Sequence, residues 1–130
     1  MIGLDANVVV CYLTQDDPLQ SPRATKLIEG LTEAIPGFIS VVAMVETAWV
    51  LKRSYRFSDR RIAAAVEGLL KADALLVEDE REVSVAMMSL KRAQGSFADA
   101  LIAALGGKAG CSATFTFDQK AARLPGFALA

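Results

Sequence analysis

MIGLDANVVVCYL, residues 1–13, is the stretch whose reading decides the fold. Ile2-Gly3-Leu4 is a short apolar run that stops at Asp5, and Asn7 to Leu13 is helical in pattern though β-branched. The alternation of short apolar run and helical pattern recurs outward from there. Asp17-Pro18 can open a helix, and Arg23 to Leu31 has the helical period. A Pro36-Gly37 turn signal precedes a short strand, Gly37-Phe38-Ile39, and Ser40 can cap a helix from Val41 to about Tyr55. Ser58 or Asp59 caps a helix to Lys71. Ala74 to Val77 is a strand candidate, Glu80 to Gln94 an amphipathic helix closed by Gly95, and Phe97 to Lys108 another helix. Residues 113–117, ATFTF, have strand chemistry and end on Asp118, which opens a short helix to Arg123; Phe127 to Leu129 is a last apolar run. Strands alternating with helices predict an α/β domain with a short, mostly parallel central sheet flanked by helices. The strands are short and unalternating, as expected when both faces are covered. Ligands in such sheets bind beyond the carboxyl ends of the strands.

The chain has 130 residues, enough for one domain, read here as 1–130. Its apolar share is 53% with a net charge of −1, the opposite of a disordered composition. The apolar surplus has two readings of equal weight, surface that a partner covers and an alanine-rich core. The charge balance announces neither nucleic acid nor an anionic membrane, so any polyanion site is a local patch. There is no histidine, which removes Ser-His-Asp and Cys-His catalysis and every His-ligated zinc site. Cys11 and Cys111 lie far apart and form neither a disulfide framework nor a zinc pattern; both are expected as small core residues of a reduced, cytoplasmic protein. Asp5 interrupts the N-terminus before a signal-peptide core develops. The apolar stretch 34–51 contains Pro36-Gly37 and Glu46, which argues against a membrane span.

Four acids are oddly placed. Asp5 follows the first strand and Asp118 follows ATFTF; if those strands are parallel neighbours, both carboxylates emerge at one edge. Glu46 sits in the most apolar helix, and its helical neighbours Val42, Trp49 and Val50 predict a buried face. Asp99 opens a nearly apolar helix. Singly, each has a structural explanation: Asp5 and Asp118 as helix caps, Asp99 as a favoured first-turn acid, Glu46 as the partner of Arg53. If the four converge, a cation must sit among them. With no histidine and no thiol motif it is a hard, oxygen-seeking one, Mg²⁺ or Mn²⁺. Metal-assisted phosphodiester hydrolysis is the chemistry such a set suits.

LDANV at 4–8, VVAMVETAWVLKRSY at 41–55, FADALIAALGGKAGC at 97–111 and TFTFDQKAARLPGF at 114–127 together resemble the PIN domain family, in particular its VapC-type toxin branch. The resemblance runs through essentially the whole chain in order. It implies a three-layer sandwich and a metal-dependent endoribonuclease. Asp5 and Asp99 match the family's direct metal ligands, and Glu46 and Asp118 its ligands either direct or through water. Asn7 and Thr116 would hold those carboxylates by hydrogen bonds. Many relatives carry an aspartate at the position of Ser96; the serine weakens the case for a second metal ion, and its readings are a helix cap or a hydrogen bond toward the metal site. The family further implies a transfer-RNA or ribosomal-RNA substrate, a homodimer, and a VapB-type antitoxin whose tail puts a basic side chain among the acids.

Lys52, Arg53 and Arg56 follow Glu46 and are the candidates for RNA phosphate contacts. Trp49, Tyr55 and Phe57 lie close by, with a core role expected for aromatics at helical spacing. A phosphoacceptor receiver module is disfavoured, because Asp5 has no acidic neighbour and no lysine follows Phe127. A haloacid-dehalogenase-type phosphatase would need a second aspartate in its loop, which LDANV lacks. A PIN domain without toxicity, a processing nuclease or an inactive binding module, is the alternative that stays open.

Overall fold

The computed structural model describes residues 1–130 and forms two compact units, Met1–Glu80 and Arg81–Ala130. The first runs β1 (Ile2–Gly3), α1 (Ala6–Thr14), α2 (Gln20–Glu29), β2 (Gly37–Ile39), α3 (Val41–Arg53), α4 (Asp59–Lys71) and β3 (Leu75–Val77). Its three strands pair in parallel in the order β1-β2-β3, with Ile2 opposite Gly37 and Gly37 opposite Leu75. Parallel neighbours need a crossover between them, and the helical pairs α1–α2 and α3–α4 supply the two. The apolar side chains Val9, Ile39, Met44, Leu51, Ile62 and Val66 are all but removed from solvent and form this unit's core.

The second unit takes α5 (Glu80–Lys91) through its length from Arg81, then α6 (Phe97–Lys108), β4 (Thr114–Thr116), a 3₁₀ turn (Ala121–Arg123) and β5 (Phe127–Leu129). β4 and β5 pair in parallel, with Thr114 opposite Phe127 and Thr116 opposite Leu129. The α/β class and the parallel pairing are as the sequence predicts. The hydrogen-bonded sheet comes in two pieces, however. The strands that precede Asp5 and Asp118 are not ladder neighbours: β1 pairs with β2, and β4 with β5.

Local chemistry sets the helix starts. Ser40, Ser58 and Ser96 are extended in backbone, and each Oγ accepts the amide three residues on, at 3.1, 3.2 and 3.1 Å. Each cap satisfies one orphan donor and contributes about 1 kcal/mol. The N-cap of α2, Leu19, has no capping side chain; Asp17 just before it accepts the Leu19 and Gln20 amides at Oδ1. The helix expected over 80–94 ends at Lys91, because Ala93 turns left-handed at φ 55°. Gly95 follows at φ 105°, a conformation a side chain resists, and a methyl there would meet Leu124 Cδ1 at 2.9 Å. Gly106 answers a different need: a methyl there would lie 2.5 Å from Thr114 Oγ1, so its absence lets α6 approach β4. No helix is long and apolar enough to cross a membrane.

Candidate active site

Asp5 stands where β1 gives way to α1. Its backbone is extended, and Oδ1 accepts the Ala6 amide at 2.9 Å while its carbonyl takes the Val9 amide. Asp118 stands at the corresponding place after β4. Its Oδ1 accepts from Lys120 at 2.8 Å and from Ala121 at 3.4 Å, and Thr116 Oγ1 accepts its own amide at 3.0 Å. The capping explanation holds for Asp5, the N-cap of α1, whereas Asp118 holds the amides of the turn that leads into the 3₁₀ helix, whose N-cap is Lys120. Both arrangements are compatible with ligation, since each residue is exposed and one oxygen pinned by backbone leaves Oδ2 uncommitted. Thr116 Oγ1 meets the backbone amide of Asp118 and not its carboxylate, which departs from the expected hydrogen bond to the acid itself.

Glu46 differs from expectation. It is exposed, as are Val42 and Trp49 on the same face, whereas Ala43, Met44, Thr47, Ala48 and Leu51 form the buried face of α3. With valines and a tryptophan on one side and alanine, methionine and leucine on the other, hydrophobic period alone could not tell which face turns inward. Glu46 has no ion pair with Arg53; the Arg53 guanidinium lies 5.4 Å from the centre of the Trp49 ring instead. The free carboxylate opens onto a cleft of about 550 Å³ that Asn7, Cys11, Asp16, Asp17 and Tyr55 also line. Asp5 lines a second cleft of about 470 Å³ with Arg23, and Asn7, Cys11 and Gln20 border both. Neither Asp16 nor Asp17 is a site candidate in the sequence, where Asp17 reads only as the opening of a helix. Both have structural partners, the Tyr55 hydroxyl at 3.3 Å and the α2 amides.

Asp99 is half-buried in the first turn of α6, with its amide held by Ser96 Oγ. Ser96 is thus the cap, the first of its two readings. Asn7, expected to hold a carboxylate, has its Oδ1 3.5 Å from the Cys11 thiol. Burial first, then the charges of Asp17 and Asp16, push that thiol above its usual pKa and disfavour the reactive thiolate. Cys111 is exposed, against the expectation of a core residue, because it lies in the turn after α6 with no apolar face to join. Of the cations beyond Glu46, Lys52 Nζ is paired with Asp59 at 3.0 Å, while Arg53 and Arg56 are exposed. Tyr55 and Phe57 are half-buried and meet edge to face.

Two of the four acids lie in each unit, and neither unit alone gathers three carboxylates or thiols that could hold a metal ion. The donors fit a hard cation in kind: carboxylate oxygens, no histidine, one buried thiol and one exposed thiol after α6. The PIN domain model matches residues 2–126. This chain belongs to the PIN domain family. That family consists in the main of metal-dependent nucleases, and the match takes in all four acids of this PIN domain, Asp5, Glu46, Asp99 and Asp118. No curated protein sequence matches the chain.

Proposed function

We propose that this PIN domain is an endoribonuclease dependent on Mg²⁺ or Mn²⁺, the toxin of a VapBC-type pair, which hydrolyses RNA and so arrests translation. The observation that carries the reading is the shared construction of Asp5 and Asp118. Each sits where a strand passes into a helical turn, with Oδ1 pinned by backbone amides and Oδ2 open. Such a carboxylate is oriented without being neutralised, as a metal ligand needs. Asp5 and Asp99 would hold the ion directly, and Glu46 and Asp118 directly or through water. When bound, a divalent cation lowers the pKa of a water and offsets the charge that builds at phosphorus.

The rest falls to the chain itself. Asp5 and Asp118 would each offer the cation an oriented carboxylate oxygen, and Thr116 holds the backbone amide of Asp118. Glu46, exposed and unpaired, can accept a proton from water. A water oxygen bonds to phosphorus, the bond to the 3′-oxygen breaks, and the leaving oxygen takes up a proton. Arg53 and Arg56 reach phosphates on either side. Lys52 can join them, since its exposed pair with Asp59 is worth at most about 1 kcal/mol.

A homodimer and a VapB-type antitoxin are part of the proposal. Induced expression in a bacterial host tests it. The wild-type chain should arrest growth and fragment a transfer or ribosomal RNA, and Asp5→Asn should do neither. A chain that cuts RNA in vitro yet leaves growth untouched would be a processing nuclease. One that cuts nothing would be a binding module.

A further inference from the structure

Trp49 is the only tryptophan of the chain, and 58% of it is open to solvent. Tryptophan is ordinarily among the well-covered residues, so an exposed one on a regular helix asks for a ligand. It lies on a stripe of α3 formed by Val42, Glu46, Trp49 and Arg53, spaced four, three and four residues apart. Val42 is 75% exposed, and the Arg53 guanidinium rests 5.4 Å from the Trp49 ring centre. That contact orients the indole and adds a positive charge beside it. Beyond the stripe, residues 52–61 carry Lys52, Arg53, Arg56, Arg60 and Arg61 against one acid, Asp59, in a chain whose net charge is −1.

An aromatic face flanked by cations is the chemistry of single-stranded nucleic acid: the ring stacks on a base, and the cations track the backbone. A protein partner would be served by the apolar ring and Val42; the cations that follow in sequence, of which Lys52 pairs with Asp59 and Arg61 lies 3.7 Å from the Phe57 ring centre, favour a polyanion over an apolar partner. From this combination we infer that Trp49 is a stacking platform for one nucleobase of a single-stranded RNA segment. Glu46, one turn away on the same stripe, faces the neighbouring phosphate, and Arg53 braces the ring and contacts the backbone. The inference rests on the reading of the chain as an RNA nuclease and adds one contact to it: a base flanking the scissile phosphate is held by stacking on Trp49. Purines, with the larger π-face, should be preferred there.

A single tryptophan makes the test direct. Asp5→Asn protein, which leaves the RNA whole, is titrated in Mg²⁺ with short oligoadenylate and oligouridylate. Trp49 emission is recorded beside the anisotropy of end-labelled RNA. Saturable quenching is expected, stronger with adenylate. By anisotropy, Trp49→Ala in the same background should bind roughly 5- to 150-fold more weakly, and Trp49→Phe should recover most of the loss. Binding by anisotropy with unchanged emission, and equal affinity for Trp49→Ala, would overturn the stacking role and leave the nuclease standing. Absence of any RNA binding, with no cleavage by the wild-type chain, would overturn both. Emission that shifts to the blue as protein concentration rises without RNA would overturn the inference in favour of a second copy covering the ring.

Discussion

At Asp5 one carboxylate oxygen caps α1 and the other faces solvent, so asparagine there keeps an acceptor for the Ala6 amide and removes the charge. Asp118 depends in addition on Thr116, whose hydroxyl accepts the Asp118 amide. Thr116→Val removes that acceptor at nearly constant shape. Metal affinity, measured calorimetrically with Mn²⁺, should fall by about 10- to 100-fold, and Thr116→Ser should restore most of it. The two cysteines offer a second check at this scale. Iodoacetamide should modify exposed Cys111 well before Cys11, whose thiol is buried and raised in pKa by burial and by Asp17 and Asp16. Because the shift is upward, the reaction of Cys11 should begin only at a pH above that of an ordinary thiol; peptide mass spectrometry against pH follows both. Equal rates at the two sites would contradict the buried placement of Cys11.

Helix boundaries show what could be seen in the sequence and what could not. Ser40, Ser58 and Ser96 are legible because a serine before a helical pattern has one strong local use, accepting an amide three residues on, and each does so. Ser96→Ala should therefore cost about 1 kcal/mol, a drop of about 4 °C in Tm, read by calorimetry. No change would mean that α6 needs no cap. The end of α5 was less legible: Lys91 to Gln94 has no strong breaker before Gly95, and the left-handed turn at Ala93 is set by its surroundings. The face of α3 was not legible at all. Apolar residues surround Glu46 in sequence, and only packing decides that Ala43, Met44, Thr47, Ala48 and Leu51 go inward while Val42 and Trp49 stay out. The four acids were found because strand ends and an odd carboxylate in an apolar helix are local signals. Asp16 and Asp17, which reach the cleft of Glu46 through folding, carry no such signal.

For the molecule as a whole, the apolar surplus divides between its two readings. Ala43, Ala48, Ala63, Ala86, Ala100 and Ala103 are buried, which answers for part of it, while Phe115 and Phe117 stay exposed at 69% and 88%. Exposed aromatic side chains this close in sequence are surface that a partner would cover. Sedimentation of the purified protein should give a dimer; a monomer at every concentration would leave that surface to a different protein. Hydrolysis of RNA by the four carboxylates with a bound divalent cation is tested most directly by one experiment. Total cellular RNA is incubated with purified, partner-free protein in Mg²⁺, in Mn²⁺ and in excess chelator, beside Asp5→Asn. Discrete fragments with 5′-phosphate ends are expected in either metal, none in chelator, and a loss of roughly 100-fold or more for Asp5→Asn with its melting curve unchanged. Cleavage that persists in chelator, or at the wild-type rate in Asp5→Asn, would contradict the assignment.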